Sequence, residues 1–203
     1  MLTNQKDHWE NIYQTKQPQD VSWTQDIPAI SLFLMKDLKL SKDAPIIDIG
    51  GGDSLLVDFL LKEGFTDISV LDISSGAIQR TKQRLGKKAD EVKWIVSDIN
   101  DFVPDRQFKL WHDRATFHFL TKEEQQTRYV QVAQNAVVGN LIIGTFSKSG
   151  PTKCSNLPIQ QYDESDMVSK FGEYFSKVEC ISEDHMTPSG KLQNFTFCNF
   201  SKK

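Results

Sequence analysis

Only three of the 203 residues are cysteine, Cys154, Cys180 and Cys198, and no two of them form a C-x-x-C pair. An odd count without that spacing argues against a disulfide frame and a cysteine zinc site, so free thiols in a reducing, cytoplasmic setting are expected. His8, His112, His118 and His185 show no metal-ligand spacing either, and no metal centre is expected. Long apolar runs are missing: none approaches the roughly 18–20 residues of a membrane span. The opening MLTNQKDHWENIYQ lacks the apolar core of a secretion signal. Excess charge of one sign is missing too. Twenty-four Lys and Arg stand against 27 Asp and Glu, a net −3, which gives no electrostatic reason to expect nucleic acid or an anionic membrane as partner. There is no repeat, low-complexity stretch or long linker. A hydrophobic fraction of 38% and a charged fraction of 25% fit one globular α/β domain over 1–203. Within it, 1–40 reads as an N-terminal lid and helix, and 41–203 as the core.

From Pro45 onward, short apolar runs alternate with amphipathic segments, the rhythm of a parallel sheet covered on both faces. The runs are 45–49, 68–72, 92–96, 108–111 and 141–146. Between them, Leu56, Phe59 and Leu60 share a helix face closed by Gly64, and Ile78 and Leu85 share another closed by Gly86. Thr121 and Glu124 have capping-box spacing ahead of a helix presenting Tyr129, Val132, Ala133 and Ala136. Asp163 or Ser165 starts another, ending near Phe171. Two strand-like runs, 176–183 and 192–200, flank Thr187-Pro188-Ser189-Gly190 with no room for a helix, which predicts an antiparallel hairpin. An ordinary nucleotide-binding fold would end instead on a crossover helix and a parallel strand.

The chemistry-bearing stretch is Asp48-Ile49-Gly50-Gly51-Gly52-Asp53-Ser54, running from a strand into a helix. Glycines there let backbone and ligand approach closely. A dinucleotide fingerprint would need glycine at position 55, where Leu55 stands. The pattern acid-x-G-x-G is met by Asp48, Gly50 and Gly52, and an acid so placed suits a ligand carrying an ammonium group. Asp72 ends the second strand, where a carboxylate can accept from both hydroxyls of a ribose. Asp98 ends the third, where it can accept from an exocyclic amine. Each acid alone is also a common turn former. Together they describe a methionine-type amine, a ribose and an adenine in turn.

On these residues the sequence resembles the class I S-adenosylmethionine-dependent methyltransferases over nearly its whole length. The resemblance implies a Rossmann-like seven-stranded sheet, five parallel strands plus a C-terminal antiparallel hairpin, with helices on both faces. It implies S-adenosyl-L-methionine as cofactor, held by Asp48, Gly50 and Gly52, by Asp72 with Ile73, and by Asp98 with Ile99. Ser54 stands where the family turn often has a third glycine; a serine can cap the helix and still pass close to a ligand. The stretch 111–120, WHDRATFHFL, looks like the post-strand motif beside the transferable methyl. It nominates His118, with Asp113, as base or acceptor-orienting group. Asp113 could equally cap the next helix, and His118 could be a satisfied core residue.

Trp9 and Tyr13, four apart on one helix face, and Trp23 resemble the aromatic lid of small-molecule methyltransferases of the thiopurine type. A lid would exclude water and set aromatic faces against a sulfonium; plain packing on the core is the other reading. The long segment 150–162 resembles an acceptor-side loop of bacterial methyltransferases in which glycine and arginine would be expected at positions 156 and 161. Asn156 and Gln161 depart from that. Absence of an Asn-Pro-Pro-Tyr-type motif argues against adenine and glutamine acceptors. The reading is an enzyme that methylates a small-molecule oxygen, nitrogen or sulfur nucleophile. The alternatives are a protein-lysine methyltransferase, a nicotinamide-dependent oxidoreductase, and a binding protein that keeps the cofactor pocket without catalysis.

Overall fold

Strands β1 (Ile46–Ile49), β2 (Ile68–Asp72), β3 (Val92–Val96), β4 (Phe108–Arg114) and β5 (Val137–Phe146) lie parallel, as their apolar runs require of strands covered on both faces. The chain is described here from a computed structural model covering residues 5–203; positions 1–4, the start of the expected lid segment, lie outside the described residues. A two-residue ribbon, β6 (Lys153–Cys154) and β7 (Leu157–Pro158), stands apart, and the long hairpin β8 (Phe175–Met186) and β9 (Leu192–Lys202) closes the sheet. The seven-stranded order is β3-β2-β1-β4-β5-β9-β8. The parallel sheet with its antiparallel terminal hairpin is as expected. The order reverses between β1 and β4, and ligands of open α/β sheets bind in the crevice that such a reversal opens at the strand C-termini.

Helices α1 (Gln5–Thr15), α2 (Ala29–Lys36), α3 (Leu56–Lys62), α4 (Ser75–Leu85), α5 (Glu123–Ala136) and α6 (Glu164–Phe171) complete the fold. One cluster joins Trp111, Tyr129, Ala133, Phe171 and Phe200. A second joins Leu34, Leu56, Leu60, Val70 and Phe197. Helix α4 starts where Ser74 Oγ accepts the Ala77 N–H at 3.1 Å and stops at Gly86, whose φ of +58° suits a residue without Cβ. Asp163 caps α6 by accepting the Asp166 N–H at 2.9 Å.

Five expectations need correction. Cys180 and Cys198 are not free thiols. They face each other across β8 and β9 and form a disulfide, while Cys154 is free and buried. Spacing of 18 in the sequence carries no sign of this, because only strand register brings the two side by side. The cap of α5 is Lys122 rather than Thr121, with the Gln125 side chain accepting the Lys122 N–H at 3.3 Å. Phe59 is half-buried; Val57 takes its place in the core. Strand β4 runs three residues beyond Trp111, so His112, Asp113 and Arg114 belong to the sheet and not to a following loop. Finally, His118 and Asp113 are core residues, as described below.

Candidate active site

A cavity of about 290 Å³ opens over the C-terminal ends of β1, β2, β3 and β4. Asp48, Gly50, Asp72, Ile73, Asp98 and Ile99 line its floor, and Trp9, Tyr13 and Trp23 line its roof. Of the residues nominated for the cofactor, only Gly52 is not on the lining.

The floor is built by the turn after β1. Gly50 has φ +69°, and its N–H donates to Leu71 O at 2.7 Å, tucking the turn against β2. A Cβ on Gly50 would stand 1.8 Å from Thr116 Oγ1, and one on Gly51 would stand 2.2 Å from Asp48 Oδ2. Neither position tolerates a side chain. The Gly52 N–H donates to Asp72 Oδ2 at 3.0 Å, and the Ser74 N–H donates to Asp72 Oδ1 at 2.8 Å. Gly52 therefore orients the acid instead of facing the ligand space. Burial pushes the Asp72 carboxyl up to about 6 despite those two amides. Asp98 Oδ1 accepts from the Asn100 N–H at 2.9 Å, which fixes the third acid at the cavity edge.

Asp48 carries the strongest polar signal. Its Oδ1 lies 2.6 Å from His112 Nδ1, and His112 Nε2 lies 2.8 Å from Ser31 Oγ. Oδ2 is buried with no hydrogen-bond partner among the described residues. His112 stands opposite Asp48 in the β1–β4 register, a pairing invisible to motif spacing because 64 residues separate the two. Ser31, from α2, and His112 are thus positioning residues that sequence reasoning missed.

The roof is α1. Glu10 is its clasp: Oε1 accepts the Ser75 N–H and Oε2 the Gly76 N–H, at 2.7 and 3.0 Å, at the exposed start of α4. A carboxylate there satisfies amides that no helix turn can. Burial raises the Glu10 acid, but the Ser75 hydroxyl, those amides and the Ser74 hydroxyl together hold it below the usual range. The folded form consequently gains from ionised Glu10 above the unfolded pKa and loses that gain as pH falls into the acid range. Glu10→Ala is expected to loosen α1 by about 1 kcal/mol, as loss of a helix cap does, measured as faster proteolysis within 5–25 while the core keeps its protection. Trp9, Trp23 and Phe119 pack edge to face, with centroids 5.6 Å (Trp9–Trp23) and 5.1 Å (Trp9–Phe119) apart. His8 Nε2 reaches Ser155 Oγ at 3.2 Å, linking the roof to the turn of the β6–β7 ribbon. In that turn Asn156 has φ +64°, a conformation glycine adopts without strain and asparagine tolerates.

Neither nominated catalytic residue reaches the cavity. His118 is fully buried; its Nδ1 accepts the Phe146 N–H at 3.2 Å. Burial, with the nearby Arg114 charge, pulls its pKa down to about 3, so it stays neutral. Asp113 is also fully buried. It accepts the Thr116 N–H at 2.8 Å, the Phe117 N–H at 3.1 Å and the Tyr129 hydroxyl at 2.6 Å. It organises the turn after β4 and is not on the cavity lining. Cys154 lines the cavity, but burial pushes its thiol up to about 11, far from an activated thiolate.

The family described as a methyltransferase domain matches residues 46–137, the span that carries all three floor acids. That match covers a little under half of the chain and agrees with the resemblance read from the sequence. Among curated relatives, it is 26% identical over 127 residues to the eEF1A lysine and N-terminal methyltransferase of Mus musculus, covering 62% of this chain and 18% of that protein. It is 29% identical over 126 residues to the malonyl-[acyl-carrier protein] O-methyltransferase of Anoxybacillus flavithermus, covering 59% and 47%. This chain spans less than half the length of either relative. In fold, the chain superposes on an S-adenosylmethionine-dependent methyltransferase from Anabaena variabilis with TM-score 0.76 at 13% identity, covering 98% of this chain and 96% of that one. It also matches the N-methyltransferase NodS of Bradyrhizobium japonicum in complex with S-adenosyl-L-homocysteine, with TM-score 0.72 at 16% identity and coverage of 98% and 99%. The cofactor that the sequence resemblance implies is S-adenosylmethionine, and the NodS structure holds S-adenosyl-L-homocysteine. The cavity fits it chemically, since the partnerless Asp48 Oδ2 would accept from an ammonium group and the two side-chain-intolerant glycines leave room beside it.

Proposed function

We propose that the protein methylates a small nucleophile admitted beneath the α1 roof. The observation that carries the reading is Asp48 Oδ2, a buried carboxylate oxygen without a partner on the floor of an aromatic-roofed cavity. When bound, S-adenosylmethionine supplies an electrophilic methyl on a sulfonium. Asp48 would hold the ammonium end, Asp72 the ribose hydroxyls and Asp98 with Ile99 the adenine. Trp9, Tyr13 and Trp23 would exclude water. The one histidine on the lining, His112, has both ring nitrogens engaged with Asp48 and Ser31. The acceptor therefore arrives already unprotonated, as a neutral amine, a thiolate or a carboxylate, and the protein's task is alignment more than proton removal.

S-adenosylhomocysteine at a hundredfold excess over its dissociation constant should stabilise the fold by about 2.7 kcal/mol, seen as a raised melting temperature, while NAD has no effect. Stabilisation by NAD alone would sink the reading. Asp72 gives a sharper check. Asp72→Ala should weaken S-adenosylhomocysteine binding by roughly 1.5–3 kcal/mol, the range for a hydrogen bond to a charged group. In the unaltered protein, affinity should fall as pH drops through about 6, because protonation removes acceptor capacity from Asp72. Asp113 titrates in the same range but away from the cavity, so an Asp72→Asn variant that keeps the full pH slope would refute the ribose assignment.

A protein-lysine acceptor is the second reading, favoured by the eEF1A lysine methyltransferase relatives. The roof contact between His8 and Ser155 speaks for the small acceptor, because an extended protein side chain needs an open channel. Labelled cofactor incubated with separate protein and metabolite fractions of a cell extract decides between them. Label confined to a protein band would overturn the small-molecule reading.

A further inference from the structure

Arg114 ends β4 on the cavity wall, beside Trp23, Phe119 and Cys154. Its Nη1 donates to Trp23 O at 2.8 Å, and the guanidinium lies 5.3 Å from the Phe195 ring centroid. Among the described residues, its buried Nε and Nη2 have no hydrogen-bond partner and it forms no ion pair. Those two nitrogens form one edge of the guanidinium, with parallel N–H groups spaced for the two oxygens of a carboxylate. A buried cation with a bare donor edge is unfavourable unless an anion completes it.

We propose that Arg114 is the acceptor-recognition residue and that the acceptor carries a carboxylate, received on the Nε–Nη2 edge. This rests on the methyltransferase reading above. Burial draws the guanidinium down to about 10, which leaves it charged at neutral pH. The lining also holds Asp26, Asp48, Asp53, Asp72 and Asp98, and its other arginine, Arg84, is already paired with Asp53 and Asp58, so one open guanidinium selects a monoanion over a phosphate dianion. Trp9, Trp23 and Phe119 around it call for an aromatic or aliphatic body behind the carboxylate. Glu183 is a nearby carboxylate outside the cavity lining, held above its usual range by burial, and among the described residues its Oε2 is likewise without a partner. It does not close on Arg114 to within 4 Å.

The same edge could take the cofactor's own carboxylate, and the test separates the two sources. Benzoate and hexanoate, each beside its neutral amide, are titrated by calorimetry into the protein saturated with S-adenosylhomocysteine. Binding of at least one acid at tenfold or greater preference over its amide is expected. Arg114→Gln should abolish that preference while S-adenosylhomocysteine affinity stays within threefold, and Arg114→Lys should keep part of it. No preference in the unaltered protein, or a preference that survives Arg114→Gln, overturns the proposal. So does a tenfold loss of S-adenosylhomocysteine affinity in Arg114→Gln and in Arg114→Lys, which would assign the edge to the cofactor. If S-adenosylhomocysteine fails to bind the unaltered protein, the methyltransferase reading falls instead. The acid-against-amide comparison on the unloaded protein then still judges Arg114.

Discussion

Asp48→Ala is expected to cost S-adenosylhomocysteine about 2–5 kcal/mol of binding, the range for removing one partner of a buried, hydrogen-bonded charge pair. That is between about thirtyfold and a few thousandfold in dissociation constant. The loss has two parts. The ammonium group would lose the oxygen awaiting it, and His112 would lose the group that fixes its ring, since Oδ1 and Nδ1 sit 2.6 Å apart. His112→Asn should reproduce only the second part, a smaller loss. Calorimetry on both variants checks the order. Equal affinity for unaltered and Asp48→Ala protein, with both folded, would remove Asp48 from the site.

The largest stability effect is expected at Asp113. Truncation to alanine strands the buried Phe117 amide and the half-buried Thr116 amide and deprives the Tyr129 hydroxyl, which also accepts from Trp111 Nε1 at 2.9 Å, of its acceptor. Each unsatisfied buried group costs about 1–3 kcal/mol, so a total of about 3 kcal/mol or more is expected, and a melting point lower by roughly 6–12 °C. Burial holds the Asp113 carboxyl near 6, above its unfolded value. The native chain binds that proton more tightly, so this contribution is full below the unfolded pKa and is lost as pH rises through about 6. Asp113→Asn should flatten that slope in pH-dependent unfolding. An alanine variant with unchanged melting point but no turnover would restore Asp113 as a catalytic group.

Asp48, Asp72 and Asp98 could be read from the sequence because each sits within two residues of the end of a short apolar run, and parallel strands align their C-terminal ends on one edge of the sheet. The hairpin was legible for a similar local reason, two β-rich runs around a Pro and Gly turn. What stayed hidden depends on which strands are neighbours. His112 backs Asp48 only because β1 lies beside β4, and Cys180 meets Cys198 only through hairpin register. The motif around His118 misled for a related reason. With β4 extending to Arg114, the chain turns His118 into the core beside Phe146 and leaves Arg114 on the wall.

The roof's attachments also bear on when the cavity comes into being. His8 reaches Ser155 across 147 residues, Gln25 reaches His185 across 160, and His185 holds Ser22 O across 163. Loops of that length close at high entropic cost, and few buried side chains reward their closure, since α1 itself has none fully buried. Such contacts form late, after β8 and β9 have joined the sheet, whereas the pairing of β1 with β2 spans 22 residues. The part assembled last is held by the fewest interactions and opens first in the native state, ahead of any core strand. For a cavity that takes in one ligand and releases another on every turnover, as the proposed function requires, late assembly and easy opening are the same property.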